Sequence, residues 1–126
     1  MTAILTSSSA VIREPGAQDA EMVRRWRGRI RGAVKHYMTF KHAAIFDPII
    51  AQAKDPAIVA KARRAKSTCV AMNAQFDAYS NSWSVELITQ NWAEFRLSTG
   101  AMIERYSEHT AQEKVAITEL VGIFAP

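Results

Sequence analysis

Apolar residues recur along most of this chain at alternating steps of three and four, which is the spacing of one face of an α-helix. The first run follows Asp19, a residue favoured at helix N-termini, and continues for about six turns. It predicts a long amphipathic first helix whose apolar members are Val23, Trp26, Ile30, Ala33, Tyr37, Phe40 and Ala44.

Two Asp-Pro pairs come next, Asp47-Pro48 and Asp55-Pro56. Aspartate is favoured at the N-cap and proline at the first helical position, so each pair predicts a helix start. The segment between them has room for only a short helical turn. The helix from Pro56 has a second apolar run, composed of Ile58, Ala62, Ala65, Cys69, Met72, Phe76, Tyr79 and Trp83.

The apolar pattern changes phase after Trp83, which predicts a break at residues 80–82. A third helix follows, with Gly100 as an interruption, and its apolar series is Val85, Ile88, Trp92, Phe95, Met102 and Tyr106. Thr110 and Glu113 match a capping box and predict the start of a last helix. The apolar face of that helix would be Ile117, Leu120, Val121 and Phe124.

The pattern as a whole predicts an all-α protein, an antiparallel bundle of four main helices plus the short turn. Residues 1–16 are rich in serine and threonine and end in Pro15-Gly16, which is typical of an extended, flexible N-terminal arm. Residues 17–126 then form a single bundle domain. No apolar run is long enough for a membrane span or a secretion signal, so we expect a cytoplasmic protein.

The net charge of +4 is unevenly distributed. Residues 1–66 contain 13 of the 16 lysines and arginines but only five acids, which gives this half a charge of +8. Residues 67–126 contain three basic residues and seven acids, a charge of −4. This asymmetry indicates either a polyanionic partner for the basic half or contact between copies of the chain, as in a homo-oligomer.

The basic residues form two clusters, one along the first helix and one at the start of the helix that follows Pro56. Arginine presents a planar fork of donors that suits phosphate oxygens. We therefore expect both clusters to bind a nucleic-acid backbone or another polyanion, and they could lie side by side if the bundle folds back. The clusters are Arg24, Arg25, Arg27, Arg29, Arg31 and Lys35, followed by Lys61, Arg63, Arg64 and Lys66. No motif for reading bases accompanies them, so the predicted role is packaging or structural.

Two alternatives remain open. The first is that the arginines pair with acids on another helix or subunit, which would make the protein an interaction subunit or adaptor that docks on an acidic partner or a second copy. The candidate acids are Glu86, Glu94, Glu104 and Glu108. The third possibility is a bundle that binds a small ligand or a metal.

Motifs for catalysis and for metal binding are missing from the sequence. None of His36, His42 and His109 follows a glutamate by three residues, so the di-iron pattern fails and we expect surface or capping histidines. Cys69 lies in an apolar run, which predicts a buried, inert thiol. We expect a non-enzymatic protein without cofactor or metal.

Gly28 and Gly32 lie between the arginines, where they would let another backbone approach the helix.

Overall fold

The computed structural model describes residues 20–124, and the side chains of residues 21–122. The predicted arm, residues 1–16, and the predicted cap Asp19 lie outside this range. The helical elements are α1 (Ala20–Lys41), a π-helical turn (His42–Phe46), α2 (Asp47–Gln52), α3 (Pro56–Ser82), α4 (Val85–Gln90) and α5 (Trp92–Phe124). Since residues 20–124 contain no strand, the all-α fold is confirmed. None of these helices combines the length and apolarity needed to cross a membrane.

The helix of α1 continues through the π-helical turn into α2, so the predicted helix start at Asp47 is wrong. Asp47 has helical backbone angles, φ −65° and ψ −43°, and its N–H donates to the carbonyl of His42, five residues back. Pro48 has no N–H and its ring would clash with the carbonyl of Ala44 in a regular α-helix. The wider π turn relieves this clash, and the helix passes the proline instead of ending.

The π turn also decides which residues of this long helix are buried. Its extra residue rotates the following residues by about 100°, which aligns Phe46 and Ile49 with the buried stripe of α1. That stripe is Val23, Ile30, Val34 and Lys41. The predicted stripe is wrong at its C-terminal end, because Phe40 is 57% exposed and Ala44 is exposed.

The start of α3 confirms the sequence prediction. Asp55 is the N-cap, and its side chain accepts a hydrogen bond from the N–H of Ala57 at 2.9 Å. Ala62, Cys69, Met72 and Phe76 are buried along this helix as predicted. The helix runs through the predicted break at residues 80–82, and the extended backbone begins at Trp83.

The chain after α3 forms one short and one long helix. Ser84 caps α4 by accepting from the N–H of Leu87 at 3.1 Å. The 33-residue α5 then runs through Gly100 without interruption. The predicted helix start at Thr110 is wrong: the Thr110 hydroxyl donates to the carbonyl of Ser107, and Glu113 is buried.

Contacts between α3 and α5 pair the start of one helix with the end of the other. Lys61 forms an ion pair with Glu119 at one end, and the hydroxyls of Tyr79 and Thr99 are hydrogen-bonded towards the other.

The buried apolar side chains form two clusters. The first apolar cluster consists of Val23, Ile30, Val34, Met72, Phe76, Ile88, Trp92, Phe95, Ile103 and Tyr106. The second consists of Phe46, Ile49, Ala62, Cys69 and Leu120.

Phe95 lies at the centre of the aromatic contacts in the first apolar cluster. Its ring centroid is 5.8 Å from Trp26 of α1, 5.4 Å from Trp83 and 5.6 Å from Trp92. The pairs with Trp26 and Trp83 are edge-to-face and the pair with Trp92 is tilted. Edge-to-face pairs stabilise a core beyond the area they bury. These tryptophans therefore join α1 and the segment around α4 to α5.

Replacing Asp55 by alanine tests the cap of α3. We expect Asp55→Ala to lower the free energy of unfolding by about 1 kcal/mol, because the N–H of Ala57 loses its acceptor. Asp77→Ala is the matched control, since Asp77 is exposed within the same helix and caps nothing. Urea denaturation measures the free energy of unfolding of both variants. An equal loss in the two variants would show that the cap does not stabilise α3.

Candidate functional site

Four basic side chains lie on the side of α1 that faces away from the buried stripe: Arg24, Arg25, Arg29 and Lys35, here called the basic face of α1. Arg24 and Arg25 lie 3.8 Å and 3.4 Å from carboxylate oxygens of Glu21. Surface ion pairs of this kind contribute little, so both guanidinium groups stay accessible to another anion. Arg29 and Lys35 contact no acid within residues 21–122.

Arg27 and Arg31 lie on the same helix but point towards the end of α3. Arg27 donates to the carbonyl of Ser80 at 2.7 Å, and Arg31 donates to Oδ1 of Asn81 at 3.1 Å. The carbonyls of a last helical turn lack partners within the helix and attract cations. Burial, and then the charge of Arg31, lower the pKa of Arg27. Both arginines therefore hold α1 against α3.

The second predicted cluster occupies the first turns of α3. Lys61 pairs with Glu119, and Lys66 lies 2.6 Å from Oδ1 of Asp47. Arg63 and Arg64 are exposed and form no ion pair with an acid in the described part of the chain. About 24 Å of helix separates Arg64 from Ser80, where α1 makes its contacts. Arg27, which contacts Ser80, and Arg64 are therefore far apart along α3.

The surface of α1 between its basic side chains is bare. Gly28 and Gly32 are exposed, and a Cβ atom at either position would meet nothing within 4 Å. Glycine costs a helix about 1 kcal/mol relative to alanine, and no packing within the described residues requires it here. A partner could therefore approach the backbone of α1 closely.

The acids named as alternative partners of the arginines are exposed as well. Glu86, Glu94, Glu104 and Glu108 form no ion pair with any residue in the range 21–122. Within the described chain, the basic face of α1 thus has an acidic neighbour only on its own helix, Glu21.

Sequence reasoning missed a group of buried polar side chains, Lys41, Cys69, His109 and Glu113, here called the buried polar centre. The ammonium of Lys41 donates to Oε1 of Glu113, and the two side chains are 1% and 2% exposed. The same ammonium lies 4.2 Å from the centroid of the Tyr37 ring. Each charge is thereby neutralised out of contact with water.

His109 lies beside this pair and corrects the expectation of a surface or capping histidine. Its side chain is 8% exposed, and its Nε2 is 3.2 Å from Oε2 of Glu113. Neither of these two atoms has a well-aligned hydrogen-bond partner among the described residues. His36 is exposed, as expected, whereas Nε2 of His42 is buried and also lacks a described partner.

Cys69 completes the buried polar centre from α3. One ligand atom from each of Cys69, His109 and Glu113 lies within 4.8 Å of the others. Burial raises the pKa of the Cys69 thiol, and the charge of Lys41 opposes that rise. Burial also raises the pKa of Glu113, but His109 and Lys41 outweigh it and leave this pKa below its ordinary value. The glutamate is therefore a carboxylate at neutral pH. The prediction that Cys69 is buried is confirmed.

One sequence signal could have revealed the buried polar centre. His109 and Glu113 lie on the buried stripe of α5, at helical steps after Ile103 and Tyr106, so they continue an apolar face. The match of Thr110 and Glu113 to a capping box concealed that continuity. Lys41 lies on the buried stripe of α1, but a pattern of apolar residues does not include a lysine.

Two grooves reach the buried polar centre. His109 and Glu113 line a groove of about 180 Å³ together with Ala65, Thr68, Gln112 and Ala116. Lys41 lines another groove, of about 530 Å³, whose walls include Tyr37, Phe40, Ile45 and Ile117. The centre is therefore buried without being sealed.

The chain matches no protein-family model, no curated protein and no solved structure.

A double-mutant cycle tests the Lys41 and Glu113 pair. We expect Lys41→Met and Glu113→Leu each to lower the free energy of unfolding by about 3–5 kcal/mol, because each leaves the other charge buried and unpaired. The double variant should recover much of that loss.

The control cycle uses the exposed pair of Lys66 and Asp47, with Lys66→Met and Asp47→Leu. Its coupling should be below about 1 kcal/mol. Urea denaturation at constant pH measures both cycles. Additive losses at Lys41 and Glu113 would mean that the two charges do not stabilise each other.

Proposed function

We propose that this protein is a non-enzymatic, self-associating helical protein that binds a polyanion, a nucleic-acid backbone, through the basic face of α1. The observation that supports this proposal is the exposure of Arg24, Arg25, Arg29 and Lys35 on one side of a single helix with only Glu21 among them. A backbone with regularly spaced phosphates suits such a row of cations.

The bare backbone at Gly28 and Gly32 supports the same proposal. A phosphate chain lying along α1 could approach the helix between the arginines without meeting a side chain. Contacts of this kind neutralise phosphates but carry no base information. The proposed role is therefore packaging or structural.

Arg27 and Arg31 have a supporting role in this proposal. Because they bond to the end of α3, they fix the orientation of α1 and leave its other arginines exposed. Arg63 and Arg64 offer a separate contact point at the start of α3. A nucleic-acid strand could contact the basic face of α1 and this second point together.

The competing proposal is docking between copies. The outer side of α5 exposes Glu94, Glu104 and Glu108, here called the acidic face of α5. Leu97 and Val115 on the same helix are 79% and 60% exposed. Apolar side chains beside unpaired acids suit a protein contact, so the acidic face of α5 could receive the basic face of α1 from a second copy.

Salt-dependent titration tests polyanion binding. The test variant replaces Arg24, Arg25 and Arg29 by glutamine, and the ligands are single-stranded and duplex nucleic acid of random sequence. We expect the plot of log affinity against log salt to lose about two to three units of slope, because three phosphate contacts disappear.

The matched control replaces Arg96, Arg105 and Lys114 by glutamine, which removes the same charge from α5. Its slope should stay close to that of the wild type. A flat slope in the wild type, or equal changes in the two variants, would rule out binding by the basic face of α1.

Light scattering tests self-association. We expect a mass above the 14.0 kDa monomer at low salt, and a monomer for the variant with Glu104→Gln and Glu108→Gln. The control variant, Asp77→Asn with Glu86→Gln, also loses two exposed acids and should still associate. A wild-type mass of one monomer at every salt concentration would contradict docking between copies.

A further inference from the structure

We propose that Cys69, His109 and Glu113 bind a divalent transition-metal ion of the zinc class. The three residues come from two helices, and one ligand atom from each lies within 4.8 Å of the other two. All three are buried. This site is independent of the basic face of α1 and of its proposed function.

Unsatisfied polar atoms in the buried polar centre point to a ligand. Nε2 of His109 and Oε2 of Glu113 are buried, in side chains that are 8% and 2% exposed. They lie 3.2 Å from each other without a well-aligned hydrogen bond, and neither has another partner among the described residues. Buried polar atoms are seldom left in this state, because the loss of water is then uncompensated. A metal ion between them would satisfy both.

The spacing of these atoms suits tetrahedral coordination. Zinc binds histidine nitrogen and carboxylate oxygen at about 2.0–2.2 Å, so two such ligands in a tetrahedron lie roughly 3.3 Å apart. Nε2 of His109 and Oε2 of Glu113 are 3.2 Å apart. A thiolate, an imidazole and a carboxylate together favour zinc or cobalt over magnesium or calcium, which prefer oxygen ligands alone.

Neighbouring side chains can orient two of the three ligands. Lys41 holds Oε1 of Glu113, which leaves Oε2 directed at His109. Asn73 donates to the carbonyl of Cys69 at 2.9 Å and lies 3.6 Å from its sulfur, where it would stabilise a thiolate. Partners of this kind fix the geometry of a metal ligand and tune its charge.

The groove of about 180 Å³ lined by His109 and Glu113 gives a metal ion access to this site. Three protein ligands leave a fourth tetrahedral position, and a water molecule from the groove would fill it. Binding requires the thiolate form of Cys69, so its proton is released to solvent as the metal–sulfur bond forms. The positive charge of the bound ion then offsets the negative charge of the Cys69 thiolate.

Titration of the reduced, full-length protein with Co²⁺ tests the proposal. The chain contains a single cysteine, so a thiolate-to-cobalt charge-transfer band can arise only from Cys69. We expect this band to saturate at one cobalt per chain and to disappear on addition of Zn²⁺. About one proton should be released per cobalt bound, measured in weakly buffered solution. Absence of the band or of proton release in the wild type would overturn the proposal.

Three variants locate the ligands: Cys69→Ser, His109→Gln and Glu113→Gln. Cys69→Ser should abolish the band, and each of the other two should weaken Zn²⁺ binding by more than about tenfold in competition with a chromophoric chelator. His36→Gln removes an exposed histidine and should leave the affinity unchanged. Circular dichroism checks that each variant is folded. Wild-type affinity in folded His109→Gln or Glu113→Gln would overturn the proposal, as would a weakened His36→Gln.

Discussion

The buried ion pair between Lys41 and Glu113 is the constraint on which the arrangement of the long helices depends. Two charges out of water are tolerated only when each satisfies the other, so the end of α1 is fixed opposite one turn of α5. Cys69 brings α3 to the same point, and the ring of His109 contacts Tyr106. Since Tyr106 belongs to the first apolar cluster and Cys69 to the second, the polar residues lie where the two clusters meet.

Features set by local chemistry could be predicted from the sequence. Asp55 caps α3 because the acceptor and the donor lie two residues apart, and the apolar spacing of Ala62, Cys69 and Phe76 marks one face of one helix. Features set by distant contacts could not be predicted. The burial of Lys41 requires Glu113, 72 residues away, and a rule that counts apolar residues assigns both to the surface.

The candidate site divides in the same way. The sequence shows that the first helix is rich in arginine, but it cannot separate Arg27, which bonds to the carbonyl of Ser80, from Arg29, which lies in solvent. That separation depends on where α3 ends in space. The cluster of Cys69, His109 and Glu113 has no sequence motif, because one residue comes from α3 and the other two are spaced for the turn of α5. Only packing brings the three together.

The π-helical turn at His42–Phe46 makes the number of residues between Lys41 and Pro48 as important as their identity. Deleting one residue there would restore a regular helix and turn α2 by about 100° about its axis. Phe46 and Ile49, now 0% and 3% exposed, would then face solvent while the sequence on either side stayed intact. Natural variation in this segment should therefore favour substitutions and avoid single-residue insertions or deletions.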